Sequence, residues 1–186
     1  MSDHRASGMN IVTLVTVPGL HGNEDAHWQS WLEMQFPLAR RVEQRDWATP
    51  HLDTWAASVR DVLTDIDGPT VIAAHSFGCL ATAHALAKTN TQVQGVLFVA
   101  PASPAKFRFA GTFSARRIDA PSLVVGSETD PWMPLDDART AAAQRRPHSA
   151  SIAHSSISAM PVISTRRRAS VRGRLRGISW RRWRGA

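Results

Sequence analysis

Short apolar runs alternate with amphipathic stretches along the first 143 residues of the chain. The runs are rich in β-branched residues, which is the pattern of buried parallel strands. They cover residues 11–17, 70–74, 93–100 and 122–126. Residues 52–66 instead carry apolar side chains at i, i+4, i+7, i+8 and i+11 from Trp55, which predicts an amphipathic helix. The alternation predicts an α/β fold with a mostly parallel sheet and helices on both faces.

The remaining segments fill in this predicted sheet and its boundaries. Helices are predicted over 25–36, 77–88 and 134–143, a strand over 41–46, and a loop with a short helix over 103–119. Right-handed crossovers would place the carboxyl ends of all strands along one edge. We expect a disordered N-terminus over 1–10 and one α/β domain over 11–143. Residues 144–186 show no sustained period and are rich in Ser and Arg, which predicts disorder.

Charge divides the chain at Asp137. Up to that residue there are 15 Asp and Glu and 10 Lys and Arg, whereas the following 49 residues carry 12 arginines and no acid. The high pI, near 11.3, therefore belongs to the tail and not to the mildly acidic front. Taken at face value, arginines interleaved with Trp180 and Trp183 favour contact with nucleic acid, which is one alternative function for the chain.

The rest of the composition indicates a soluble cytoplasmic protein with no membrane partner. Cys79 is the single cysteine, so an internal disulfide is excluded and a reducing compartment is expected. The N-terminus lacks the basic and apolar regions of a signal peptide, and no apolar run reaches the ~18 residues of a membrane span. No Cys and His spacing matches a metal site, and no cofactor is expected.

The strongest chemical signal is Ala74-His75-Ser76-Phe77-Gly78, between a predicted strand and a predicted helix. A nucleophile elbow needs a tight turn at that place, with the serine hydroxyl lifted above the sheet and small residues two positions before and after it. The alternative is that Ser76 is an ordinary helix N-cap. Its place between strand and helix favours the nucleophile.

Two other loops supply what a serine nucleophile needs. The Gly-rich loop Pro18–Gly22 follows the first strand and could present a second backbone N–H to an oxyanion, although it could also be an ordinary turn. Asp130 follows the strand over 122–126 and fits the chain order Ser, Asp, His, in which the acid orients a histidine. Asp130 could instead be an acid in the first turn of a helix. As the candidate triad acid we prefer Asp130 to Glu128, because an Asp-Pro turn closes the loop at the sheet edge.

The other histidines and the tryptophans are expected to have structural roles. His75 is adjacent to the serine, but neighbouring side chains diverge at an elbow. His21 and His27 are predicted to be loop or core residues, and His84 to be packed or solvated on the helix after the serine. Most of the tryptophans are expected in the core.

Several separated segments resemble one family of small serine hydrolases. They are VPGLHGNEDAHWQSWL, the segment Trp47–Trp55, AHSFGC, VAPASP at 99–104 and SETDPW. Together they are similar to the YdeN / retinoblastoma-binding-protein-9 family over about residues 11–143. The resemblance implies an α/β-hydrolase fold without a large lid, Ser76 as nucleophile and Asp130 as triad acid. It also implies an oxyanion hole formed by the Phe77 N–H with a loop N–H at Leu20 or His21.

The family's catalytic histidine is absent from its expected position. That family carries it in a Gly-His-x-Asn motif about 30 residues after the acid, where this chain has only His148 and His154 in unrelated contexts. Shifting the codons of residues 154–165 by two bases turns Met160-Pro161 into an alanine codon and permits Phe-Val-Asp-Leu-Gly-Asp-Ala-Gly-His-Ile-Asn. We therefore interpret the basic tail as a frameshifted C-terminus, with the last strand and helix of the fold missing or disordered.

These observations predict a serine hydrolase of small ester or amide substrates that works through an acyl-enzyme. Without the histidine, this translated form is expected to be poorly active and prone to aggregation. A non-catalytic module of the same fold that binds a protein partner is the second alternative, beside nucleic-acid binding by the tail.

Overall fold

The computed structural model of the protein describes residues 11–87, 92–105, 107–113 and 118–126. Within these ranges, strands and helices alternate, as the hydrophobic pattern predicts. The strands are β1 (Thr13–Val17), β2 (Ala39–Arg41), β3 (Thr70–His75), β4 (Val93–Val99) and β5 (Ser122–Val125). The helices are α1 (Trp28–Glu33), α2 (Leu52–Thr64) and α3 (Phe77–Leu86).

The five strands form one parallel sheet in the order β2-β1-β3-β4-β5. The register places Val17 beside Ala74, His75 beside Val99, and Val99 beside Val125. Three neighbouring strands, β3, β4 and β5, therefore end at the same level along one edge of the sheet. The parallel α/β architecture predicted from the sequence is confirmed.

Helices cover both faces of this sheet. The larger core lies under α2 and α3 and includes fully buried Trp55 and Phe77. The smaller core lies on the opposite face, where Leu32 of α1 packs with Leu14 and Ala73 of the sheet. The β1–α1–β2 unit and the β3–α3–β4 unit therefore use opposite faces, which matters for the position of the site.

Two predicted elements have different boundaries in the structure. The second strand occupies Ala39–Arg41 and not 41–46, because pairing with residues 14–16 of β1 fixes its register. Helix α1 begins at Trp28 and not at residue 25, because the His27 side chain accepts a hydrogen bond from the Gln29 N–H and caps the helix there. Both differences arise from contacts that hydrophobic periodicity does not encode.

Residues 107–113, which we name the strap, lie between β4 and β5 in the chain and form hydrogen bonds with the start of α2. Ala110 donates its N–H to Pro50 O and accepts a hydrogen bond from the Leu52 N–H, at 3.0 and 2.9 Å. The strap contains no helix, so the short helix predicted within 103–119 is absent from that described part. The helix predicted over 134–143 lies outside the described residues. No helix in the described part of the chain has the length and apolarity needed to cross a membrane.

Candidate active site

Ser76 lies in a strained turn between β3 and α3. Its φ of 50° and ψ of −124° fall in a region that residues with a side chain rarely adopt, at a cost of order 1–3 kcal/mol. The backbone is held there by the Ser76 N–H, which donates to Val99 O, and by Ser76 O, which accepts from the N–H groups of Cys79 and Ala102. The side chain makes no capping hydrogen bond to α3. This is the geometry expected of a nucleophile elbow, and although Ser76 occupies the N-cap position of α3, it lacks the side-chain hydrogen bond of a capping serine.

Glycines allow the loop after β1 to pack directly against this turn. A methyl group at Gly78 would lie 2.3 Å from Pro18 O and 2.5 Å from Val17 O. A methyl group at Gly19 would lie 2.8 Å from the Ser76 Cβ. The small residue expected two positions after the serine is therefore required by contact with the backbone of the β1 loop.

The same place is the topological switch point of the sheet. The chain leaves β1 towards α1 on one face, and it leaves β3 towards α3 on the other. Adjacent parallel strands whose connections diverge in this way leave a crevice at their carboxyl ends, where open α/β sheets bind ligands. Ser76 and the loop Pro18–Gly22 form the two sides of that crevice.

The three backbone N–H groups considered as oxyanion donors, those of Phe77, Leu20 and His21, differ in whether they are already engaged in a hydrogen bond. Phe77 is the first residue of α3, so its N–H has no acceptor within the helix and lies at the positive end of the helix dipole. Of the two loop residues considered from the sequence, His21 donates its N–H to Trp47 O at 2.9 Å. That bond engages His21 elsewhere, which favours Leu20, the neighbour of Gly19, as the second donor.

His75, which precedes Ser76 in the chain, is packed with His27 on the α1 side of the sheet. The His75 ring lies 4.9 Å from the His27 ring and 6.3 Å from the Trp28 ring, measured between centroids. Burial lowers the pKa of His75 to about 4, with a smaller contribution from His27. Burial also lowers the pKa of His27 to about 4, reinforced by the charge of Arg41 and opposed by Glu24 and Glu33. His75 therefore has the structural surroundings expected for a side chain that diverges from Ser76.

His84, on α3, has a role remote from the serine. Its Nε2 lies 2.9 Å from Asp53 Oδ1 of α2, and the histidine side chain is buried while the carboxylate is more than half exposed. The pair joins α2 to α3. The sequence left His84 either packed or solvated, and the structure places it in the packed position.

Aromatic rings surround the residue that follows the nucleophile. Phe77 contacts Trp55 edge-on, Phe107 in a stacked arrangement and Phe109 at a tilt, with centroids 5.0, 5.3 and 5.8 Å away. Trp47 contacts Trp55 and lies 3.7 Å from where a methyl group at Gly22 would be. This aromatic cluster links the β1 loop to the strap and fixes Phe77 from below.

The predicted acid Asp130 lies outside the described residues, as do His148 and His154. The structure does describe β5, which leads directly to Asp130. Ala100 donates its N–H to Val125 O at 2.8 Å, so β5 ends two strands from Ser76, at a distance of about 10 Å for the usual strand spacing. A histidine placed between a carboxylate after β5 and Ser76 can span such a separation. Among the described residues, no group of three or more His, Cys, Asp or Glu could hold a metal ion.

One polar residue near the site was not singled out from the sequence. Gln29 is fully buried, whereas its neighbours Trp28 and Ser30 on α1 are only partly buried. Its Nε2 donates to Val17 O at 3.1 Å and to Ala73 O at 2.8 Å, and its Oε1 accepts from Asn23 Nδ2 at 2.7 Å. The burial of Gln29 could have been predicted from its position three residues before Leu32, because that spacing places both side chains on the sheet-facing side of α1.

Comparison with known proteins agrees with this geometry. A family model described as serine hydrolase matches residues 14–158. The chain is similar to a solved structure described as a YdeN-like hydrolase from Pectobacterium atrosepticum, with 36% identity, 72% of each chain covered and a TM-score of 0.66. It also has the fold of the ydeN gene product from B. subtilis, with 19% identity, 71% of this chain and 80% of that chain covered, and a TM-score of 0.57. None of the curated proteins searched matches the chain.

Proposed function

Because the chain belongs to the serine hydrolase family of the α/β-hydrolase superfamily, we propose that Ser76 is the nucleophile that attacks a small ester or amide substrate. The observation that carries this proposal is the Ser76 backbone, with φ 50° and ψ −124°, at the switch point of the sheet. A strained serine whose side chain caps no helix is expected where its hydroxyl serves chemistry.

The proposed reaction has two halves that share one oxyanion site. Ser76 Oγ bonds to the substrate carbonyl carbon and gives its proton to a base, while the carbonyl oxygen becomes negative and accepts hydrogen bonds from the N–H groups of Phe77 and Leu20. Collapse of this intermediate expels the alcohol or amine with a proton and leaves an acyl-serine. Water then attacks the acyl-serine in the same way, which releases the carboxylic acid and restores the Ser76 hydroxyl.

The base is the weak point of this particular chain. In the proposed triad a histidine takes the serine proton, and Asp130 holds that histidine in the correct tautomer. His75 and His27 are packed against each other, His84 is paired with Asp53, and the His51 ring caps α2, so these four histidines have structural surroundings. We therefore retain the frameshift hypothesis, under which the translated form lacks its base and is impaired.

An active-site-directed fluorophosphonate tests the nucleophile. We expect slow labelling of the parent chain and its loss in Ser76→Ala, because the strained serine and the two N–H donors act without the base. Ser58→Ala, on the partly exposed side of α2, is the matched control and should label like the parent.

Two outcomes would count against separate parts of the proposal. Labelling that persists in Ser76→Ala at the parent rate would contradict the assignment of the nucleophile. Rapid labelling with steady turnover of a p-nitrophenyl ester by the parent chain would contradict the impairment.

A further inference from the structure

Gln29 joins the two sides of the candidate active site. Its side-chain amide donates one hydrogen to the carbonyl of Val17, the last residue of β1, and the other to the carbonyl of Ala73 in β3. Its oxygen accepts from Asn23, which directly follows the loop Pro18–Gly22. One side chain therefore contacts the strand before the nucleophile, the strand before the oxyanion loop, and the end of that loop.

The amide lies where the pairing of β1 with β3 ends. The last pair in that register is Val17 with Ala74, and the loop that begins at Pro18 follows. Beyond that point the connections of the two strands diverge to opposite faces. The distance between the loop and Ser76 must therefore be set by other groups.

Because Gln29 is buried, the loss of its side-chain hydrogen bonds would be costly. The residue is completely buried, and both hydrogens of its amide nitrogen have acceptors. An unpaired amide in such a place would cost the full desolvation of the group. The helix that carries it is fixed at the same level, because the Gln29 N–H donates to the His27 ring. The side-chain amide is thus held in one orientation, because its nitrogen is bound by two carbonyls and its oxygen by Asn23.

From these contacts we infer that Gln29 is a positioning residue, which fixes the separation between the oxyanion loop and the nucleophile turn. Its effect on catalysis rests on the proposed function of Ser76, whereas its effect on the geometry of the crevice does not. Oxyanion donors act through their exact distance from the developing charge, so a shift of about 1 Å is expected to slow the reaction up to about 100-fold.

Two replacements separate the hydrogen bonds from the packing. Gln29→Met keeps a side chain of similar length without donors, and Gln29→Glu places a carboxylate against two carbonyl oxygens. Thr82→Val is the matched control, because Thr82 is also fully buried and its hydroxyl has no hydrogen-bond partner in the described part of the chain.

The first measurement is the rate of fluorophosphonate labelling at several probe concentrations. We expect the maximal labelling rate to fall about 10- to 100-fold in Gln29→Met, and further in Gln29→Glu, with the concentration for half-maximal rate within about twofold of the parent. A purely structural role would instead reduce the fraction of protein that labels and leave the rate of that fraction unchanged, which would overturn the inference.

The second measurement is hydrogen exchange of the intact chain, which needs no activity. In Gln29→Met, exchange should rise about tenfold for the amides of 19–23 and 74–78 and stay unchanged in α2 and β5, while Thr82→Val should match the parent throughout. Parent-like exchange in both segments would overturn the inference. If the parent chain fails to label at all, the proposed function fails for this form, and the exchange data still decide the role of Gln29.

Discussion

At the scale of single residues, the site depends on the absence of side chains as much as on their presence. Gly78 has an ordinary helical backbone, but a Cβ there would meet two carbonyl oxygens of the β1 loop at 2.3 and 2.5 Å. Backbone atoms cannot give way as a flexible side chain does. The loop and helix would have to separate, and the proposed oxyanion donors would move with them.

We therefore predict that Gly78→Ala lowers the free energy of unfolding by about 1–3 kcal/mol and slows labelling of Ser76. Gly68→Ala is a suitable control, because Gly68 has a φ of 126° but no atom near its missing Cβ. It should cost about 1 kcal/mol through backbone strain and leave labelling unchanged. Urea unfolding and labelling rates of both variants measure this; parent-like behaviour of Gly78→Ala would contradict the close approach of the loop.

The histidine pair on the other face gives the protein a dependence on pH. The folded-state pKa values of His27 and His75, both about 4, lie below the ordinary value of 6.5. Between these values the unfolded chain binds more protons than the folded one, so stability is full above about pH 6.5 and is lost as the pH falls towards 4.

Replacing one ring should reduce that loss. His75→Phe keeps an aromatic side chain against His27 and Trp28 but cannot be protonated. We expect its free energy of unfolding to fall less than that of the parent between pH 7 and pH 5, as measured by urea unfolding at each pH. Equal losses in both proteins would show that His75 is not one of the groups responsible.

The residues of the site differ in how far sequence alone could identify them. Ser76 and Phe77 follow from a local pattern, a small-x-Ser-x-Gly turn between strand and helix, and the structure gives that turn the strained geometry it requires. The competition between Leu20 and His21 could not be resolved in this way. It depends on the hydrogen bond from His21 to Trp47, a contact across 26 positions of the chain. Gln29 was missed because two of the three partners of its side-chain amide are main-chain carbonyls, which the sequence pattern does not reveal.

At the scale of elements, the strap packs against the start of α3, where its rings contact Phe77. It is held by the two hydrogen bonds of Ala110 and by the rings of Phe107 and Phe109 on Phe77. Phe107 and Phe109 are half-buried, whereas Phe77 is fully buried. The strap thus depends on ring contacts with a residue that itself carries a proposed oxyanion donor.

Phe109→Ala should accordingly destabilise the protein by about 1–3 kcal/mol, through lost apolar contact and the lost ring pair. Met34→Ala is a fitting control, because Met34 is 68% exposed and its removal should change stability by no more than about 0.5 kcal/mol. Chemical unfolding of the two variants gives the comparison. A Phe109→Ala variant as stable as Met34→Ala would show that the strap contributes little.

Elements with a dense apolar pattern were predicted well, and short edge elements were not. The strands β1, β3, β4 and β5 and the helices α2 and α3 lie where periodicity places them, to within about two residues at each end. The edge strand β2 is three residues long with no buried position, so its sequence has no buried-strand pattern and its location follows from its partner. Prediction failed there because the decisive interactions lie between segments.

At the scale of the whole molecule, the frameshift hypothesis would explain both the charge break and the absence of a Gly-His-x-Asn motif. The described sheet, Ser76 and the loop Pro18–Gly22 belong to the mildly acidic part of the chain, while the acid-free segment begins after Asp137 and covers the region where the family resemblance places a histidine. A single shift of reading frame would replace both the acids and the histidine at once. A basic arm acquired for binding would not explain why a shifted codon reading permits Gly-His-Ile-Asn.

The nucleotide sequence over the tail decides this hypothesis, and a restored chain tests its consequence. If an alternative frame encodes Gly-His-Ile-Asn, a protein continued in that frame should label at Ser76 at least about 1,000-fold faster than the present chain, because the serine would regain its base. Replacing the restored histidine by alanine is the control and should return the rate to that of the present chain. If no frame encodes the motif, the hypothesis fails, and if the restored protein labels no faster, the missing histidine is not what limits Ser76.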